Sequence, residues 1–248
     1  MSRISKACLP RSCNNRPSRM IRHATLPTAP AGHSPWEAPN LHLLKRDPIM
    51  YQLVLFDFDG TLTTPGAIDF AAIRHDIQCH PEMDILAFID TLDAPSRVVA
   101  DATIDRYEQV AAARARPNDH AEDVLQQLAG HGVVAGIITR NNRRGLERSL
   151  ENFPVLSVDH FDVIITRDDA LPPKPHPAAV FAAAEHTGTD LQNVMMVGDY
   201  LFDIACGRAA GVTTVWLQSD HCTPDADAPP DHTVLSLAEL PPLVLGGP

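Results

Sequence analysis

The 248-residue sequence is short of several things at once, and each shortage narrows what the protein can be. Its five cysteines, Cys8, Cys13, Cys79, Cys206 and Cys222, form an odd set with no C-x-x-C spacing. That disfavours a disulfide framework or a zinc ribbon and points to a reducing, cytoplasmic compartment. The longest apolar runs, such as 133–139, span only a handful of residues, so no membrane span is expected. Basic residues are scarce where most of the chain lies. Of 20 Lys+Arg and 31 Asp+Glu, eight bases and two acids fall in residues 1–47, a balance of +6. The rest carries −17 of the net −11. An acidic body argues against a nucleic-acid surface, which needs clustered Lys and Arg. It suits a cation-dependent enzyme, although solubility accounts for it equally well.

What is present is a globular composition, with 44% hydrophobic and 21% charged residues. The length fits one good-sized domain, or a domain carrying a small insert. Residues 1–48 differ from the remainder: Pro, Ser, Asn and Arg recur with no period of 2 or 3.6. Such a stretch buries too little apolar surface to offset its ordering entropy, so it reads as disordered. Its Arg-rich, acid-poor character also suits an organelle transit peptide. A third account, an upstream extension with the start at Met50, fits best because the body is complete without it.

From Tyr51 onward strands and helices alternate. Short runs rich in Val and Ile, apolar on both faces, predict buried parallel strands at 52–57, 133–139, 162–166, 193–197 and 213–217. Helices are expected at 121–129, 142–150, 177–186 and 201–210, several ending at glycine. The pattern predicts an α/β fold, a doubly wound, Rossmann-like parallel sheet. One interval breaks it. After Asp57 no strand is expected before Val133, and 67–116 reads as helical. Ile85, Leu86, Phe88, Ile89 and Leu92 make one apolar face, and Ala100, Ile104, Tyr107 and Ala111 another. An all-α insert at 65–117 therefore interrupts a core formed by 49–64 and 118–248. It leaves the core at the carboxyl end of the first strand, the edge where open α/β sheets bind ligands, and a lid is expected there.

The stretch "LVLFDFDGTLTTPG", from Leu53 to Gly66, carries the sharpest chemical signal. Strand alternation puts Asp57 and Asp59 on one face, opposite Phe56 and Phe58. Two crowded carboxylates repel one another, and a positive partner must offset that. Three further stations follow at expected strand ends or ahead of helices: Thr139-Arg140-Asn141, Lys174 within "PPKPHP", and Asp199 and Asp203 within "MVGDYLFD". Singly each is ordinary; together and in order they form a strong pattern.

In these motifs the sequence resembles the haloacid dehalogenase-like (HAD) hydrolase superfamily, over about residues 50–217. "FDFDGTLT", "IITR", "KPHP" and "MMVGDYLFD" look like its four motifs in order. The helical insert is similar to the small cap of the phosphoglycolate-phosphatase-like subgroup. The resemblance implies a Mg²⁺-dependent phosphatase hydrolysing a small-molecule phosphomonoester through an aspartyl-phosphate. It implies Asp57 as nucleophile, Asp59 as acid and base, and Thr139, Arg140 and Lys174 as phosphate contacts. Asp57, Asp59 (through its carbonyl) and Asp199 would hold the metal, with Asp203 supporting from behind. The backbone N–H groups around Thr139–Arg140 are expected to join the phosphate cradle, and Thr61 to bond the backbone of its own loop. An acid two residues after the nucleophile favours phosphate esters over carbon–halogen bonds, since a halide leaves unprotonated.

Two departures stand out: Tyr200, where many relatives carry a small residue, and Arg140, where Asn is usual. Alternatives of the same scope are a phosphomutase, and a non-catalytic phosphate-binding module that the retained acidic and basic set disfavours. No nucleic-acid or membrane partner is expected, and no motif specifies an oligomeric state. In the insert, Arg74, His75, His80, Asp84 and Arg97 are polar candidates for contacting substrate.

Overall fold

The computed structural model describes residues 51–219 and 222–246; the expectations for residues 1–48 lie outside them. β1 (Leu53–Phe56) is followed by a tight turn and three helices, α1 (Phe70–Asp76), α2 (Ile85–Asp90) and α3 (Ala94–Ala112). Then come α4 (Ala121–Gly130), β2 (Val134–Ile138), α5 (Arg143–Leu150), β3 (Val163–Ile165) and α6 (Ala178–Thr187). The chain continues through β4 (Val194–Gly198), α7 (Leu201–Ala210), β5 (Thr213–Leu217), β6 (His232–Val234) and α8 (Leu240–Leu245). All six strands are parallel, in the order β3-β2-β1-β4-β5-β6. This is the expected Rossmann-like α/β architecture.

Period-2 alternation assigns each strand residue to one of two hydrophobic layers. Val54 and Phe56 of β1, with Met195 and Val197 of β4, pack on the side holding Leu128 of α4, Leu146 of α5 and Val244 of α8. Leu53, Leu55, Val194 and Met196 face the other layer, with Val180 of α6 and Cys206 of α7. Both faces of the sheet are thus covered, which is why the strand segments read as continuous apolar runs. Gly136 in β2 keeps the close packing possible: a Cβ there would collide with Val163 and Leu55.

The helices α1–α3 have a hydrophobic cluster of their own, Ile73, Ile85, Ile89, Ala100 and Ile104. Each begins with an aspartate, Asp69, Asp84 and Asp93, whose side chain accepts from the backbone N–H three residues on. β6 was not anticipated from the sequence. It is three residues at the sheet edge, two of them exposed, and offers no hydrophobic period to read.

Candidate active site

The first strand ends one residue earlier than its apolar run suggests. β1 stops at Phe56, and Asp57 is extended at φ −65°, ψ 163°. Asp59 and Gly60 then leave the strand geometry, with Gly60 at φ +93°. Phe56 and Phe58 do share a hydrophobic layer, but the turn, and not strand alternation, brings Asp59 to the cleft beside Asp57. Gly60 is required twice over. Its φ is one that L side chains rarely adopt, and a Cβ there would collide with the Asp199 carboxylate.

The other stations arrive from the carboxyl edge of the sheet, as open α/β sheets direct. Asp199 follows β4, and its Oδ1 accepts a hydrogen bond from the Thr61 hydroxyl at 3.1 Å. Thr61 therefore positions a carboxylate; the expected bond to its own loop backbone is not the one its hydroxyl makes. Asp203, in the first turn of α7, uses Oδ2 to accept from the Tyr200 N–H at 3.1 Å. Lys174 is fully enclosed and its Nζ lies 2.5 Å from Asp57 Oδ1 and 2.6 Å from Asp203 Oδ1. Carboxylate oxygens of Asp57, Asp199 and Asp203 all lie within 4.8 Å of one another.

That cluster is electrostatically incomplete. Asp57, Asp59, Asp199 and Asp203 meet a single ammonium, Lys174. Desolvation and then the Asp57 charge push Asp199 up to about 7, and burial does the same to Asp203 despite the adjacent Lys174. Asp59 also rises to about 7, through desolvation first and then Asp57 and Glu108. Burial works against the charge of Lys174, but Asp203 and Asp57 outweigh it and hold its pKa above the ordinary value. Hard oxygen donors in excess of positive charge are what a divalent cation with several oxygen ligands requires, so the residues fit such an ion. Asp57 and Asp199 each commit one oxygen, to Lys174 and Thr61, and keep the other as a donor; both oxygens of Asp203 are already engaged, one by Lys174 and one by Tyr200.

Thr139 follows β2 and lies in the same cleft. Its N–H is spent on the Ile165 carbonyl at 2.9 Å, so it cannot join a phosphate cradle as expected. Its hydroxyl accepts from the Asn141 N–H at 3.0 Å. Asn141 in turn donates to Asp59 Oδ2 at 3.2 Å, orienting that carboxyl. Arg140 does not point into open space. Its Nη2 reaches both oxygens of Asp84, at 2.8 and 2.7 Å, and its guanidinium stacks over the Phe202 ring at 4.6 Å.

The cleft encloses about 460 Å³ between the sheet edge and the helices α1–α3. Of the polar residues singled out in the helical insert, Arg74 and Asp84 line it. His75 and Arg97 pair instead with Asp76 and Asp90 at exposed positions. Sequence reasoning missed Glu108 and Arg167. Glu108, 4% exposed, accepts from both Arg167 terminal nitrogens and from the Asn142 N–H. Asp105 adds bonds to Arg167 at 3.0 Å and Asn142 at 2.9 Å. A signal did exist: Glu108 stands four residues after Ile104 and three before Ala111, on the buried stripe of α3.

A Rossmann-like parallel α/β core with acidic groups gathered at its carboxyl edge is the class this geometry defines. The family model described as haloacid dehalogenase-like hydrolase matches residues 54–217. The chain belongs to that family. It is 33% identical over 168 residues to an uncharacterized hydrolase of Saccharomyces cerevisiae, covering 67% of this chain and 77% of the relative. It is 29% identical over 177 residues to the pyrophosphatase PpaX of Oceanobacillus iheyensis, covering 65% and 80%. Among solved structures, a haloacid dehalogenase-like hydrolase from Bacteroides fragilis superposes with a TM-score of 0.64 at 23% identity, covering 77% of this chain and 99% of that one.

Proposed function

We propose that the chain is a Mg²⁺-dependent phosphatase that hydrolyses a small-molecule phosphomonoester through an aspartyl-phosphate on Asp57. The observation that carries this reading is the meeting of Asp57, Asp199 and Asp203 within 4.8 Å, with Lys174 Nζ 2.5 Å from Asp57. Mg²⁺, bound by Asp57, Asp199 and the Asp59 carbonyl, would neutralise phosphoryl charge and hold the ester for in-line attack.

Asp57 attacks phosphorus through a carboxylate oxygen, and the bond to the leaving oxygen breaks. Asp59, protonated near neutrality because its pKa is raised to about 7, gives its proton to that oxygen. As a carboxylate it then takes a proton from the water that hydrolyses the acyl phosphate. Asn141 holds Asp59 in place through the two steps. Lys174, anchored by Asp203, keeps a positive charge against Asp57 and the transferring group. The Thr139 hydroxyl is assigned to phosphoryl oxygens; Arg140, the other residue expected there, is held by Asp84 and Phe202 instead. Residues 65–117 act as a cap over a core of 49–64 and 118–248, excluding water during the first step. PpaX, a named pyrophosphatase, supports the phosphate chemistry. Free Cys79, Cys206 and Cys222 suit a reducing, cytoplasmic setting, and no helix among the described residues is long and apolar enough to cross a membrane.

The test is release of phosphate from a panel of phosphorylated metabolites, with and without Mg²⁺, by the native chain and by Asp57→Asn. Hydrolysis should need the metal and disappear in the variant. Activity that survives the substitution removes the covalent route.

A further inference from the structure

The residue directly after Asp199 carries a bulky ring, and a second ring stands against it. Tyr200 and Phe202 stand edge to face, ring centroids 5.1 Å apart and planes 80° apart, on the wall beside the acidic cluster. Tyr200 remains 45% exposed. Phe70, at the start of α1, is 52% exposed and lines the same cleft from the helical side. Among the large apolar side chains left exposed, these two are the ones that face this cleft. Phe202 is held in plane by Arg140, whose guanidinium covers one ring face while Asp84 grips it from α2.

Along the Tyr200–Phe202 wall the charged groups are paired: Arg140 is taken by Asp84, and Arg167 by Asp105 and Glu108. Arg74, which reaches the Met83 carbonyl at 3.4 Å, stands across the cleft on α1. A polyhydroxylated sugar placed there would give up water for hydrocarbon faces, at a cost its hydroxyls do not recover. A flat ring would instead gain burial and ring–ring contact in a pre-set corner.

On the phosphatase reading above, we infer that Tyr200, Phe202 and Phe70 form a leaving-group subsite, so that the phosphate ester carries an aromatic or heteroaromatic ring. The phosphoryl group sits at Asp57 and Asp199; the ring extends along the wall that begins at the next residue, Tyr200.

Calorimetric titration of the full chain in Mg²⁺ with three non-hydrolysable phosphonates tests this. Benzylphosphonate should bind about fivefold or more tighter than methylphosphonate, the worth of one aromatic contact plus burial. It should also bind more tightly than cyclohexylmethylphosphonate, which matches its size without the π face. Tyr200→Ser and Phe70→Ala, both at exposed positions that the folded core does not need, should each shrink the benzyl-to-methyl ratio. Equal affinity for benzyl- and methylphosphonate overturns the subsite, and so does a cyclohexyl ligand that matches the benzyl one. If inorganic phosphate binds and releases the phosphonates while the ratio is unity, only this inference fails. If neither phosphate nor any phosphonate binds in Mg²⁺, the phosphatase reading falls with it.

Discussion

Two charged clusters flank the cleft, and they are built on opposite principles. At the sheet edge, Asp57, Asp59, Asp199 and Asp203 share one cation, Lys174, and three of those acids have pKa values pushed up to about 7. Between the helical insert and the core loops, Asp84, Asp105 and Glu108 meet two arginines, Arg140 and Arg167, with hydrogen bonds on nearly every oxygen. The first is well removed from water; in the second Glu108 is buried while Asp84 is half-buried and Asp105 exposed. The second cluster is close to self-sufficient, and the first is stable only with a partner it does not itself contain. That difference separates chemistry from architecture: an unbalanced buried charge set marks where a ligand acts, and a balanced one marks where two pieces of chain are held together.

The comparison breaks most visibly at the first cluster. Asp57→Asn should lower phosphate release by on the order of 10⁴–10⁶, the loss seen when a nucleophile is removed from a cooperating set; retention of activity within tenfold, roughly the reach of a minor contact, contradicts the assignment. Next comes Glu108→Ala in the second cluster. It strands Arg167 in a largely buried position and should cost about 3 kcal/mol in urea unfolding, with kcat changed far less than by any substitution of Asp57. A loss of activity without a loss of stability would move Glu108 into the chemistry.

The acid balance gives a pH test. In metal-free protein Asp59, Asp199 and Asp203 have folded pKa values raised to about 7 from 3.8, so between those limits the folded chain binds more protons than the unfolded one. Stability is then greatest at the acid end and is lost as pH rises from about 4 to 7. Thermal scans in EDTA should show Tm falling over that window, and Mg²⁺ should restore it at pH 7 and above by binding the ionised set. A flat profile in EDTA would mean the cluster is balanced after all. The smallest effect belongs to Asp84→Ala. Its partly exposed pair with Arg140 should be worth less than about 1 kcal/mol, and its removal should show chiefly as a change in KM.

The sequence was legible where one physical rule acted alone. Five strands, β1 to β5, follow from short apolar runs, and α7 from a run ending at Gly211. Asp57, Lys174 and Asp199 could be picked out because they stand where strands or loops deliver side chains to one edge. Legibility failed where two rules competed. Strand alternation was extended to Asp59, yet Gly60 turns the chain first. The Thr139 N–H was offered to substrate, yet the β2–β3 pairing extends to it through Ile165. Arg140 and Glu108 took their partners from segments 56 and 59 residues away in sequence, which no local period encodes.

Thr63 and Pro117 pair as an isolated antiparallel bridge, flanked by hydrogen bonds from Thr64 N–H to the Arg116 carbonyl and from Asn118 N–H to the Leu62 carbonyl. The chain thus leaves and rejoins the sheet scaffold through a narrow neck, so the span between Thr63 and Pro117 can lengthen or change with only a slow rise in loop-closure entropy. A graft of a different helical segment at that neck would replace the α1–α3 wall of the cleft and leave Asp57, Lys174 and Asp199, all outside it, where they stand.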